Sequence, residues 1–490
     1  MQDENLTVLI GTFLVYMGII LLMAYIAYRR TANLSDYILG GRSLGAWVTA
    51  LAAQASDMSG WLLLGLPGLA YLAGYESFWM VGGLLLGTYL NWKLIAQRLR
   101  EATFRLDDAL TLPDYLERRF NDKARILRLI SGAFVLFFFA LYTSSGFVAG
   151  GKLFEELFQM PYGWALLLGA GSVIAYTFFG GFLAISWADV LQGSLMFFAL
   201  IIVAAMGYYL IGGFGGMTST FNAVNMEMLD PFTGTDGDAL GWIGIASLAV
   251  WGLGYAGQPH ILARFMAIED ANQIGKSRRI AMTWVTVVLG AAVLVGFTGV
   301  GVLDRQLTGD ESEKVFIFMS VELFPPVIAG ICLSGILAAV MSTASAQLLV
   351  ASSAFSEDFY KGLFRPDCGE KELLWVGRGA VLAIAAIALF LARNPDAKVL
   401  DLVAWAWAGF GSAFGPTVIL SLYWPRMNRA GALAGIAAGG LTAVFWPMLR
   451  NVSDAEIFTL YELAPGFVFS MLAIVIATLV TRDERSPVHE

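Results

Sequence analysis

The chain has 490 residues, 58% of them apolar and only 14% charged, with a formal net charge of −8 and a mean hydropathy of +0.70. An ordinary soluble chain carries roughly 25% charged residues, so a soluble enzyme and a chain disordered throughout are excluded, and an acidic balance without a separate basic stripe argues against nucleic-acid binding. Two cysteines and two histidines, far apart in sequence, leave too little for a disulfide framework or a clustered His/Cys metal centre.

Apolar runs long enough to cross a bilayer recur from end to end, the pattern of an all-α polytopic membrane protein. About thirteen spans are predicted, at 6–28, 44–72, 78–96, 126–152, 162–179, 188–211, 240–266, 280–303, 326–355, 373–392, 399–424, 430–449 and 465–481. The opening MQDENLT lacks the basic n-region of a cleavable signal. Span two is unusual. Its middle, ASDMSG, places Ser56, Asp57, Ser59 and Gly60 at bilayer depth. A charged side chain there costs about 2.5–3.5 kcal/mol, so Asp57 needs a partner, and a bound cation would supply one. Asp, Ser and Gly also disfavour helix, so the span should unwind there. The segment 98–128 mixes Arg and Lys with Leu, Phe and Tyr and reads as an interfacial helix held on anionic lipid. Asp189, in SWADVLQ at the start of span six, is either a helix N-terminal acid or part of an ion path.

Span seven contains the second break, WGLGYAGQP, where Pro259 would open a new half-helix beside Trp251, Tyr255 and Gln258. Span nine carries the hydroxyls Ser342, Thr343 and Ser345 in an otherwise apolar helix. Such hydroxyls usually bond back to their own helix, but they are also the hard donors a sodium ion would take. Basic residues crowd one side of the chain. Arg29, Arg30 and Arg42, the segment 98–128, Arg264 to Arg279, Lys361 to Lys371, Arg426, Arg429, Arg482 and Arg485 fall there, against Lys152, Arg305, Lys314, Arg393, Lys398 and Arg450 on the other. The richer side is cytoplasmic by the positive-inside rule, which puts the N-terminus outside and the C-terminus inside.

Each break opens a block of five spans, and an odd number inverts one block relative to the other. Interrupted helices at matching places in two inverted halves point to a transporter binding site. The first half of span two would end at the midplane with free carbonyls, suited to a cation. Its second half would begin with free N–H groups, suited to a carboxylate. A sensor would need an output domain, for which 482–490 has no room. An intramembrane hydrolase would need a second histidine in the membrane. A channel would not need two inverted halves closing on one site.

The stretches DYILGGRSLG (36–45), ASDMSGWLLLGLPG (55–68), ALTLPDYLERRF (109–120), GGFLAISWAD (180–189), WGLGYAGQPHILARFMA (251–267) and LAAVMSTASAQLL (337–349) resemble the sodium/solute symporter family, and within it the branch that carries proline. The resemblance covers nearly the whole chain. It implies a LeuT-type core of two inverted five-helix repeats, at 44–213 and 240–424. An N-terminal span and loop at 1–43, an extracellular loop at 214–239 and two further spans with a short tail at 425–490 would complete the chain. It implies a sodium site made by the backbone oxygens of Ala55, Met58 and Ala339 and the hydroxyls of Ser342 and Thr343. Asp57 would be required for sodium use, whether or not it touches the ion. The substrate pocket would involve Ser59, Gly60, Trp61, Tyr142, Trp251, Tyr255, Gln258 and Pro259. Some relatives add a second sodium on a longer hydroxyl run. Here Ser345 and Asp189 are present but the next position is Ala346, so one sodium per substrate is expected. The implied activity is non-enzymatic, sodium-driven uptake of L-proline by alternating access across a bacterial inner membrane, with sodium, proline and lipid as the only partners required. The alternative is another small zwitterion or carboxylate such as pantothenate.

Overall fold

The computed structural model describes residues 2–28, 34–234 and 238–481. Arg29, Arg30, Arg482 and Arg485, and the tail at 482–490, lie outside the described residues. Among the described residues the chain is helical, with isolated bridges in place of strands. Ten helices among the described residues are long and apolar enough to cross a membrane, and Tyr162–Phe178 is a shorter apolar helix. This is a multi-pass membrane protein.

Two predicted spans, 162–179 and 188–211, fall on one stretch of 49 helical residues, Tyr162–Leu210. A straight helix of that length would reach about 70 Å, more than twice a hydrocarbon core of about 30 Å. Gly181 breaks it with φ 66° and ψ 177°, a left-handed backbone that glycine takes without strain. Pro326–Ser353 runs through the middle of the bundle and continues as a π-helix, Ala354–Phe364. Its apolar window is 83% buried, against Ile126–Phe158 and Tyr162–Leu210. The many Ala, Gly and Ser residues of this helix let its neighbours approach closely.

Both interrupted helices are observed. The first runs Ala46–Asp57, breaks at Met58 and Ser59, and resumes as Gly60–Leu63 and Gly65–Ala73. The second runs Gly241–Ala249, tightens into a 3-10 stretch Val250–Gly257, extends at Gln258, and restarts as Pro259–Met266. The start of one is tied to the end of the other. Leu44 N–H donates to the Ala267 carbonyl at 3.2 Å, and Glu269 N–H to the Leu44 carbonyl at 3.0 Å. Arg42 reinforces this end, donating to the carbonyls of Met266 at 2.7 Å and Ala109 at 2.9 Å. Burial lowers the Arg42 guanidinium to about 10, so it is still cationic at neutral pH.

The opposite end is closed by a buried ion pair. Lys152, expected in an outer loop, is buried and lies 2.9 Å from Glu313. The Glu313 carboxylate also accepts the N–H groups of Val399 at 3.0 Å and Leu400 at 3.1 Å. It therefore satisfies the donors that begin the helix Val399–Tyr423.

Candidate functional site

The first break frees a carbonyl. Met58 N–H still bonds to the Gln54 carbonyl at 2.9 Å, but Ser59 N–H turns to the Asp57 carbonyl at 3.0 Å. Ala55, which would have received Ser59, is left outside the helical ladder. Two hydroxyls from the central helix take its place: Ser342 donates to the Ala55 carbonyl at 2.7 Å and Thr343 at 3.3 Å. Ser342 also reaches the Ala339 carbonyl at 3.1 Å. Four of the five expected ion ligands therefore converge. Met58 lies in the break itself, with φ −81° and ψ 76°.

Asp57 is fully buried, and among the described residues neither of its carboxylate oxygens has a hydrogen-bond partner. The Tyr255 hydroxyl, from the second interrupted helix, lies beside it. Tyr142, from Ile126–Phe158, faces both Asp57 and Ser59. Trp61 donates its indole N–H to the Asp57 carbonyl at 3.3 Å, which pins the restarted helix to the end of the first. Gly60 opens that restart against Ala149, where a Cβ would come within 2.6 Å of the alanine methyl. Asp57, Ser59, Tyr142 and Tyr255 thus face one another across the two breaks.

The second break is held by aromatics that sequence reading left out. Trp251 stacks on Tyr461, with ring centroids 5.3 Å apart and planes 24° from parallel. Tyr255 meets Trp407 edge-on at 4.9 Å. Trp407 donates its indole N–H to the Trp251 carbonyl at 2.8 Å, and a side chain at Gly254 would collide with that indole. Gln258 donates to the carbonyls of Gly254 and Trp407, both at 3.2 Å. The carbonyls of Trp251 and Gly254 in the unwound stretch are therefore engaged by the protein itself, because an unwound segment must satisfy its backbone internally. The Gln258 side-chain oxygen keeps no hydrogen bond. Pro259 lines a small cavity with Ile38, Thr111 and Val135. His260 is buried between Phe139 at 5.6 Å and Tyr142 at 5.9 Å.

Asp189 is not a helix N-terminal acid. It sits two turns beyond the Gly181 break, fully buried, 3.2 Å from the equally buried Arg264 of the second interrupted helix. Ser345 donates to the Ser342 carbonyl at 3.1 Å, back along its own helix. The two are on different helices, and each spends its observed hydrogen bond elsewhere. Charge counting had placed Arg264 in the cytoplasmic rim; its burial shows a structural partner for Asp189.

Two interrupted helices lying antiparallel, with a hydroxyl-bearing helix against the first break, form the core architecture of a secondary transporter. The chain belongs to the sodium:solute symporter family, which it matches over residues 37–439. It is 50% identical over 479 residues to the sodium/proline symporter of Escherichia coli K12, covering 97% of this chain and 93% of that one. It is 47% identical over 463 residues to a high-affinity proline transporter of Bacillus subtilis, covering 94% and 96%. Among solved structures it resembles a sodium-coupled sialic acid symporter captured outward-open with substrate, with a TM-score of 0.79, 17% identity and coverage of 98% and 99%. That likeness speaks to the fold, and it bears out the LeuT-type helical class expected from the sequence.

Proposed function

We propose that this protein carries L-proline into the cell together with sodium, by alternating access about the two helix breaks. The relatives' shared activity, at 44–50% identity over nearly the full length, supports both the solute and the ion. One observation carries the reading at the level of residues: the Ser342 and Thr343 hydroxyls meet the freed Ala55 carbonyl two positions from the fully buried carboxylate of Asp57.

The ion site is the oxygens of Ala55, Met58, Ala339, Ser342 and Thr343. Hard oxygen donors suit a hard cation. The hydroxyls now spend their protons on Ala55 and would turn lone pairs to sodium. Asp57 supplies the compensating charge, and a neutral pair at bilayer depth removes most of the penalty of an isolated carboxylate. Sodium entry thereby stabilises the broken form of the first helix. That form presents the N–H groups at Ser59 and Gly60 to a carboxylate. Trp61, Tyr142, Trp251, Tyr255 and Pro259 supply flat walls for a compact ring, and aromatic faces favour its ammonium. Gln258 offers a free acceptor. Neither break contains a basic residue for an acidic side chain. Arg264 already neutralises Asp189, which favours one sodium per proline.

The chain is read as about thirteen crossings with repeats at 44–213 and 240–424, joined by the extracellular loop 214–239. It would sit in a bacterial plasma membrane with its N-terminus outside, and it catalyses no covalent chemistry. Counterflow tests the whole: proteoliposomes preloaded with unlabelled proline should transiently accumulate labelled proline, with sodium present. Failure to show counterflow, or counterflow equally fast with pantothenate as the solute, would overturn the assignment.

A further inference from the structure

The helix after the first break leaves the apolar zone without stopping. Ser77–Leu90 passes through a π-helical turn, Asn91–Ile95, into the polar Ala96–Arg105. Two cavities lie along it. The first is an apolar groove of about 200 Å³, with Leu86, Leu90 and Leu94 on one wall and Leu253, Ile419 and Phe467 on the other. The second is a polar cavity of about 430 Å³ that holds Lys93, Arg98, Arg105 and Arg119, with Glu101 as the acid in its lining. Leu86, Leu90 and Leu94 line the groove, and Lys93, Arg98 and Arg105 line the polar cavity, with the π-helical turn Asn91–Ile95 rotating the helix between them. The groove and the basic cavity are thus consecutive along one continuous helical stretch.

Tyr423 joins them. Its ring lines the groove, its hydroxyl donates to the Leu94 carbonyl at 2.8 Å, and the Arg98 guanidinium lies 4.2 Å over its face. Arg119 forms the deep wall, 2% exposed, with Nε donating to the Ser421 carbonyl at 3.0 Å. Glu101 is shared between Arg105 at 3.5 Å and the Gln97 amide at 2.9 Å. Even with Arg119 set aside, Lys93, Arg98 and Arg105 against Glu101 leave the cavity cationic.

We infer that the two cavities together form a binding site for one anionic phospholipid, its headgroup phosphate among Lys93, Arg98, Arg105 and Arg119 and an acyl chain along Leu86, Leu90 and Leu94. Arginine and lysine are the groups that recognise phosphate, and an acyl chain needs a dry wall. A soluble phosphate would leave the groove unfilled, and a zwitterionic lipid would leave the excess positive charge unbalanced. The groove also touches Ala249, Gly252 and Ala256 of the second break. The bound chain therefore rests against the segment that carries Trp251 and Tyr255 and limits its movement. Only the leaflet, cytoplasmic, rests on the orientation proposed above.

The test is native mass spectrometry of the purified full chain, titrated with phosphatidylglycerol or phosphatidylcholine. The wild type should retain phosphatidylglycerol in preference. Arg98→Gln with Arg105→Gln should weaken phosphatidylglycerol binding about thirtyfold, at about fivefold per basic group, and leave phosphatidylcholine unaffected. Leu90→Trp, which fills the partly exposed groove without touching charge, should weaken both lipids. Arg365→Gln with Lys371→Gln, an equal charge loss elsewhere, should change neither. An equal effect of that control pair would mean a diffuse basic surface and overturn the site. So would displacement of phosphatidylglycerol by millimolar inorganic phosphate, which would assign the cavity to a soluble anion. If the arginine variants misfold, Leu90→Trp decides alone: unchanged lipid retention in that variant refutes the groove.

Discussion

Thr343→Val tests the ion site with the least disturbance, since valine keeps the shape of threonine and removes one oxygen. The hydroxyl lies 3.3 Å from the Ala55 carbonyl on a side chain only 2% exposed, so bulk water does not replace it. An interaction between a neutral polar group and a charge is worth about 1.5–3 kcal/mol. Its loss should raise the sodium concentration for half-maximal proline uptake by about 10- to 150-fold. Thr343→Ser restores the oxygen and should return the value close to wild type. The assay is the initial rate of labelled proline uptake into proteoliposomes across a sodium series. The maximal rate at saturating sodium should survive, because the change acts on ion occupancy. A valine variant with wild-type sodium dependence, or a loss that serine does not restore, would refute the site.

Other consequences follow from the same geometry. Arg264→Met leaves the buried Asp189 without its cation and should destabilise the protein by about 3–5 kcal/mol; adding Asp189→Asn should recover most of that in thermal unfolding, and a double variant no more stable than Arg264→Met would show that the pair is not coupled. Trp251→Ala should raise the proline concentration for half-maximal uptake, and Tyr461→Ala should do the same by releasing the stacked ring. Unchanged proline affinity in both would remove these aromatics from the pocket. In a cysteine-free background, Gly234→Cys should react with an impermeant maleimide from outside intact cells and Asn121→Cys should not. The reverse labelling would invert the topology.

The breaks were legible because their residues contradict a membrane helix. Asp57 is expensive at depth, and three glycines with Pro259 cannot extend a helix. Ser342 and Thr343 stood out as hydroxyls in an apolar run, although only the structure shows their shared acceptor, Ala55, 287 residues from Ser342. What stayed hidden depends on contacts across long separations between ordinary-looking residues. Arg264 was counted as a rim charge, because sequence gives no depth for a residue at a helix end; its partner Asp189 is 75 residues away. Lys152 was counted only as an outer-side charge, and nothing local singles out Glu313, 161 residues away, as the partner that the fold buries with it. Trp407 and Tyr461 are two aromatics among many in a chain with 14 tryptophans and 17 tyrosines, so nothing local marks them as supports of the second break.

Sodium-driven accumulation of proline against its gradient tests the central claim most directly. One charge moving across 100 mV is worth about 2.3 kcal/mol, and a tenfold sodium gradient about 1.4 kcal/mol. With one sodium per proline, proteoliposomes under both forces should plateau near roughly 500-fold accumulation, and replacing sodium by potassium should abolish it. A plateau far above that value would require a second coupled ion, and equal accumulation in potassium would contradict sodium-coupled symport at this site.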